Sequence, residues 1–338
     1  MTDPSRRRTS GLRSWFSANG RLEFFLTLAS ITLLTGACLA LILVPRNTGP
    51  LQLATDEAEV LDTTEGIDDP RLTPVRRDLQ PFGPILVRRV AAGGEADALL
   101  VAHPDHRADL DVLAHELELA ITDVSAVWGV DWNRAPVIVV AGTPTEFTAL
   151  TRAAGAATTA DVAAVSLTGS YAPGTRPTDQ RIVFNPDARR RVGDEGLATL
   201  LRHELTHVAT RGVTTDGAPL WMLEGYAEYV AQRGRGNTFS QIAPTLTTRL
   251  RAGALPTDLI GDADFTGTDA AIAYESAWST CAFLADRYGP ATLTELYKRL
   301  ATGPQSPAAQ DAAFHAVLGA SRTELLDGWR AWLHGRAV

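Results

Sequence analysis

The residues with the most chemical potential in this chain fall in one stretch, Leu200 to Val230. It contains His203-Glu204-Leu205-Thr206-His207. On a helix, residues four apart lie on one face, one turn above the other. His203 and His207 can therefore close on a single metal ion. Glu204, one residue round from His203, can hold a water at that ion without being a ligand. Neutral imidazoles joined by a carboxylate suit zinc, and a catalytic zinc takes three protein ligands and keeps one position open. This is the H-E-x-x-H zinc-protease signature. Sixteen residues separate His207 from Glu224, room enough to fold back, and Glu224 is the expected third ligand. Glu228 follows one helical turn later, where it can accept the free N–H of a ligand histidine and fix its tautomer. The same spacing also suits a solvated glutamate on a helix surface.

Two helices must present these groups. Leu197, Leu200 and Leu201 share one face of the segment before the motif, and Leu205, Thr206, Val208 and Ala209 are uncharged, as a buried helix requires. Gly212 and Asp216-Gly217 supply turn chemistry, and Pro219 suits the start of a second helix carrying Glu224 and Glu228.

With Trp221-Met222-Leu223-Glu224-Gly225-Tyr226-Ala227-Glu228-Tyr229 after the first motif, the chain resembles the gluzincin metallopeptidases, and among them the peptidase MA-like family. That family shares its ligand pattern with the M1 aminopeptidases and is more distantly similar to thermolysin. The resemblance implies zinc held by His203, His207 and Glu224, with Glu204 as general base. Met222 stands just before the expected leucine. The G-x-M-E-N motif of the M1 aminopeptidases is missing upstream, so aminopeptidase specificity does not follow. The resemblance also implies that the last strand before the zinc helix, here Arg181 to Phe184, lies at the sheet edge and pairs with an extended substrate. Some gluzincins use a tyrosine hydroxyl to hold the developing oxyanion. Tyr274, in a Tyr-x-x-Ser…Tyr-Gly helix similar to one in peptidase MA-like proteins, is the candidate here.

The chain has 338 residues, 45% hydrophobic and 21% charged, enough for one large or two small domains. A net charge of −8 argues against a nucleic-acid partner. Residues 1–23 are basic and polar, and Phe24 to Val44 runs without a charge, long enough to cross a bilayer as a helix. Arginines ahead of that span predict a cytoplasmic N-terminus and an extracytoplasmic remainder, anchored as a single-pass membrane protein. A cleaved signal peptide is the alternative, and Cys38 sits in a loose lipobox. Cys38 and Cys281 are the only cysteines, which excludes a disulfide framework and a thiolate metal site.

Residues 45–80 read as an acidic, proline-containing linker, and the compact domain is expected over 81–338. Within it, 81–210 should hold a small mixed sheet and the H-E-x-x-H helix, and 211–338 a helical part. Ile85–Val90 and Ala98–Ala102 suggest a hairpin, Arg107–Trp128 a long amphipathic helix, and Val137–Ala141 a buried strand. A short helix follows, capped by Thr145, then strands at Val162–Ser166 and Arg181–Phe184. A helix in Phe239–Gly253, a long one over Ala270–Tyr288 ended by Gly289, and closing helices over Leu293–Leu300 and Phe314–His334 complete the chain, with Trp329 and Trp332 packing inward. His103-Pro104-Asp105-His106 has metal-capable residues, but Pro104 breaks the register and the segment reads as polar loop. His115-Glu116 lacks a second histidine at Leu119 and reads as helix surface.

The expected fold class is α+β, a zincin-like metallopeptidase domain behind one N-terminal transmembrane helix. The expected function is zinc-dependent hydrolysis of a peptide or protein substrate. Two other readings stay open at this level: a non-catalytic membrane-anchored metal-binding or interaction module, and a zinc hydrolase of a non-peptide amide.

Overall fold

The computed structural model describes residues 67–336, apart from 95, 153–161, 170, 172–173 and 178. The expected span 24–44, the basic tail and Cys38 lie outside the described residues. Among the described residues, no helix is long and apolar enough to cross a membrane.

The fold is α+β. Helix α1 (Leu72–Leu79) leads into a hairpin of β1 (Leu86–Val90) and β2 (Ala98–Ala102). Helix α2 (Arg107–Trp128) crosses to β3 (Val137–Val140), and α3 (Pro144–Arg152) to β4 (Ala164–Leu167) and β5 (Arg181–Phe184). All later elements are helical: α4 (Ala188–Thr210), α5 (Leu220–Gln232), α6 (Phe239–Ile242), α7 (Pro244–Arg251), α8 (Ala270–Tyr288), α9 (Pro290–Leu300), α10 (Pro307–Leu318) and α11 (Arg322–His334).

The sheet is mixed, in the order β1-β2-β3-β5-β4. β2, β3 and β5 run parallel, while β1 and β4 are antiparallel to their neighbours. All four residues of β3 are buried, as expected of a central strand covered on both faces. Alternation divides the side chains between two cores. Leu100, Ile138 and Ile182 face the larger one, with Leu110, Leu113, Leu117 and Val124 of α2 and with the helical half of the chain. Leu99, Val101, Val139 and Val183 face the smaller one, closed by Leu72, Val75 and Leu79 of α1 and by Phe147 and Leu150 of α3.

Several expectations need correction. The strand Arg181–Phe184 is not at the edge: β5 is flanked by β3 and β4, and β4 is the outer strand. The chain lays β4 down first, then returns inside it, so the last strand in sequence is not the last in space. The linker ends sooner than expected, because Leu72, Val75 and Leu79 bury an i, i+3, i+7 stripe against the sheet. Helix α3 is capped by Thr143 rather than Thr145, since the Glu146 amide donates to Thr143 Oγ1 at 3.2 Å. The run Phe314–His334 is two helices, broken at Gly319 (φ 66°, ψ 22°) and restarted by the Ser321/Glu324 capping box. The Phe239–Gly253 helix is likewise divided, at Ala243 before Pro244. Trp329 is buried, but Trp332 is only half-buried, with the Arg336 guanidinium 3.5 Å over its ring.

Helix α4 contains a break at Gly193 (φ 70°, ψ −179°), a backbone conformation that favours glycine. The H-E-x-x-H turns lie after that break, wedged between α2, β4 and α5. Helix α5 packs along α8 so closely that a Cβ at Gly225 would lie 2.4 Å from the Ala277 carbonyl oxygen. The Glu-Gly pair therefore sets the expected third ligand beside the contact that fixes its helix.

Candidate metal centre

Three donor atoms converge where α4 meets α5. His203 Nε2 and His207 Nε2 are 3.1 Å apart. Glu224 Oε2 lies 3.3 Å from His203 Nε2 and 3.6 Å from His207 Nε2. Ligands at about 2.0–2.1 Å from a tetrahedral zinc stand about 3.3–3.4 Å from one another. The triangle of donors is thus the right size for one zinc ion, and two nitrogens with a carboxylate oxygen are the donor types zinc takes. Among the described residues, no further His, Cys, Asp or Glu joins the group. Catalytic zinc sites take three protein ligands and structural ones usually four.

Glu228 takes the place its spacing allowed. Its Oε2 accepts from His203 Nδ1 at 3.1 Å, and its Oε1 accepts from the Gln232 amide at 2.8 Å. With Nδ1 donating to Glu228, Nε2 is the ring nitrogen left to serve a cation in the triangle. Burial opposes charge on His203, but hydrogen bonds to Glu224 and Glu228 outweigh it and raise the imidazole's pKa well above its ordinary value. Burial likewise acts against the Glu224 and Glu228 carboxylates, yet the facing imidazoles hold both below the usual carboxylate range.

Glu204 is buried on α4, next to His203. It has a partner that sequence reasoning missed. Ser166, on β4, places its Oγ 2.6 Å from Glu204 Oε2 and 2.9 Å from the Glu204 carbonyl oxygen. The sequence offered only one weak signal, a lone hydroxyl in the otherwise apolar run Ala164-Val165-Ser166-Leu167.

Tyr274 sits in the second turn of α8, half-buried, its ring edge-on to Phe265 at 5.1 Å. The residues brought together at the centre are His203, His207, Glu224, Glu228, Glu204 and Ser166. Cys281 is buried beneath Gly225, where burial pushes its thiol up, and does not belong to the donor group.

The other histidines have structural partners. His103 lies in the loop after β2, as expected, and its polar atoms are partnered: Nδ1 donates to the Pro84 carbonyl at 2.8 Å, and Nε2 meets Glu146 Oε2 at 3.1 Å. His106 pairs with Asp109 at 2.9 Å. His115 is exposed, as expected, while neighbouring Glu116 pairs with buried Arg202.

No protein-family model matches the chain, and no curated protein matches it. Among solved structures it is similar to an M1 zinc metallopeptidase from Deinococcus radiodurans, at 18% identity and a TM-score of 0.43, over 76% of this chain and 53% of that one. A mutant of the Deinococcus radiodurans M1 zinc metallopeptidase aligns at 17% identity and a TM-score of 0.43, over 76% of this chain and 53% of that one. A two-domain M1 zinc metallopeptidase mutant bound to L-arginine gives 17% identity and a TM-score of 0.43, over 75% and 52% of the two chains. The chain spans about half the length of these proteins. A likeness at this level describes layout alone.

Proposed function

We propose that this chain is a membrane-anchored zinc metallopeptidase, with the cation held by His203, His207 and Glu224 and with Glu204 as general base. The observation that carries this reading is the donor triangle of 3.1, 3.3 and 3.6 Å, on the same helical turn as a buried carboxylate. When bound, zinc supplies a Lewis acid that polarises the scissile carbonyl and lowers the pKa of water. Glu204 takes the proton released at the attacking water and delivers it to the leaving amine. Glu228 keeps the His203 ring in its coordinating tautomer through Nδ1. Tyr274 is assigned the task of sharing the oxyanion's charge.

The substrate class follows from β4. The Asn185 amide donates to the Ala163 carbonyl at 2.8 Å, so the main-chain groups of Ala163 face β5. By the alternation of antiparallel strands, those of Ala164 and Ser166 face the free edge. An extended peptide can pair there beside Glu204, which favours a peptide substrate over a non-peptide amide. The uncharged span 24–44 behind a basic tail is what supports the anchored, extracytoplasmic reading.

The test uses the full chain in detergent, with metal analysis and a peptide-library digest of wild type and Glu204→Gln. Zinc bound by both proteins, with turnover lowered by about 10²–10⁴-fold in the variant, is expected. Equal turnover at equal zinc content would reject the assignment. A fourth protein ligand found on the bound zinc would instead point to a structural site.

A further inference from the structure

We propose that Ser166 is a positioning residue for Glu204, aiming its carboxylate at the cation site from the edge strand. The inference rests on the metallopeptidase reading and adds a residue from outside the two zinc helices. Ser166 Oγ is 2.6 Å from Glu204 Oε2 and 2.9 Å from the Glu204 carbonyl oxygen. The hydroxyl's single proton lies within reach of two acceptors on Glu204, and the shorter contact is to its carboxylate. Glutamate has three side-chain torsions to fix, and a partner on a rigid element fixes them better than a loop does.

The edge strand is such an element. Ser166 stands opposite Ile182, and Ala164 and Leu167 stand opposite Phe184 and Arg181. Ala164 faces the larger core, while Leu167 and Val165 face the smaller one. Ser166 therefore points to the α4 side, and a slip of one residue in register would put a valine there instead. A hydroxyl facing an apolar core needs a partner, and Glu204 is that partner. The main chain of Ser166 faces the free edge, where the substrate would pair. The residue thus joins two parts of the reaction: its backbone lies along the peptide and its side chain holds the base.

A merely structural hydroxyl would stabilise the fold without affecting turnover. A hydrogen bond to a charged group contributes about 1.5–3 kcal/mol net, which corresponds to roughly 10–100-fold. In the zinc-loaded full chain, Ser166→Ala should lower kcat about 10–100-fold, with zinc content unchanged and KM within about twofold. Ser166→Thr keeps the hydroxyl and suits a strand, and should restore most of the rate. Ser166→Cys keeps the size but donates weakly, and should fall between them; it serves if the alanine variant folds poorly. In a Glu204→Gln background, Ser166→Ala should cause no further loss of rate. A readout independent of activity is the thermal-unfolding cycle of the two substitutions in metal-free protein, where the melting shifts should be non-additive.

An active wild type with Ser166→Ala equally active, or additive melting shifts, overturns this inference alone. A zinc-loaded wild type that cleaves no peptide overturns the metallopeptidase reading, and this inference falls with it.

Discussion

Replacing Gly225 with alanine should lower the melting temperature by about 4–8 °C and loosen the metal site at the same time. The added Cβ would lie 2.4 Å from the Ala277 carbonyl oxygen, 2.7 Å from its carbon and 3.0 Å from Cys281 Sγ. Ordinary contact begins at 3.4 Å, so α5 and α8 must part by roughly 1 Å or rotate. The nearest obstacle is main chain, which cannot move aside as a flexible side chain would. Overpacking of this kind costs about 3 kcal/mol at the upper end of the usual range. Alanine's better helix propensity offsets about 1 kcal/mol, leaving about 2 kcal/mol of destabilisation. For a domain of this size each kcal/mol moves the midpoint by about 2–4 °C. Glu224 precedes Gly225, and a ligand oxygen tolerates displacement of only about 0.2 Å. Zinc affinity should therefore fall by about tenfold or more, the scale observed when a group that orients a ligand is lost. Thermal unfolding with and without zinc, and a competition titration against a chelator, read both effects. Cys281→Ala should not rescue the variant, because the closest clash is with the Ala277 carbonyl. A Gly225→Ala protein that melts at or above the wild-type temperature would refute the reasoning.

Three further outcomes are expected. Glu228→Gln should weaken zinc binding about 10–100-fold by a competition titration, since a neutral amide raises His203's basicity less than a carboxylate does; equal affinity would remove Glu228 from the site. Tyr274→Phe should lower kcat about 10²-fold with zinc content unchanged if its hydroxyl holds the oxyanion, and unchanged kcat would leave the tyrosine as packing against Phe265. The Asp109 carboxylate raises the pKa of His106, burial opposing it. Because the folded-state value lies above the unfolded one, this stabilisation is complete below about pH 6.5 and fades as pH rises through the folded value. The stability lost in Asp109→Asn should therefore be greater by about 0.5–1 kcal/mol near pH 5.5 than at pH 9, measured by urea unfolding. A difference that does not change with pH would refute it.

The donor cluster was legible because its parts are local. His203, His207, Glu224 and Glu228 lie on two consecutive helices, and helical spacing alone places each pair on one face. Glu204's partner was not legible, because Ser166 lies on a strand 38 residues earlier and only tertiary register brings it in. The same limit explains the edge-strand error. Val162–Ser166 and Arg181–Phe184 are both short apolar runs, and nothing local tells which lies outside the other. Other misses were readable. Leu72, Val75 and Leu79 have helical spacing, obscured by Arg71, Arg76, Arg77 and Asp78 among them. Gly319 followed by Ser321 and Glu324 is a helix stop and restart, hidden in a run that otherwise favours helix throughout.

The charge arrangement favours the proposed catalytic reading over a structural one. Glu224 and Glu228 both bear on His203, and a divalent cation between the donors would balance that pair of carboxylates. Glu204 is then surplus. It is 5% exposed, at the centre rather than on the surface, and a buried carboxylate without a role would be costly. A structural zinc would close its fourth corner with another ligand and would have no use for this residue. Among the described residues no fourth His, Cys, Asp or Glu joins the donors, and Ser166 of the sheet hydrogen-bonds Glu204. On the proposed reading, a third carboxylate beside the candidate cation site, tied to an outer strand of the sheet, suits the handling of a proton next to an extended chain.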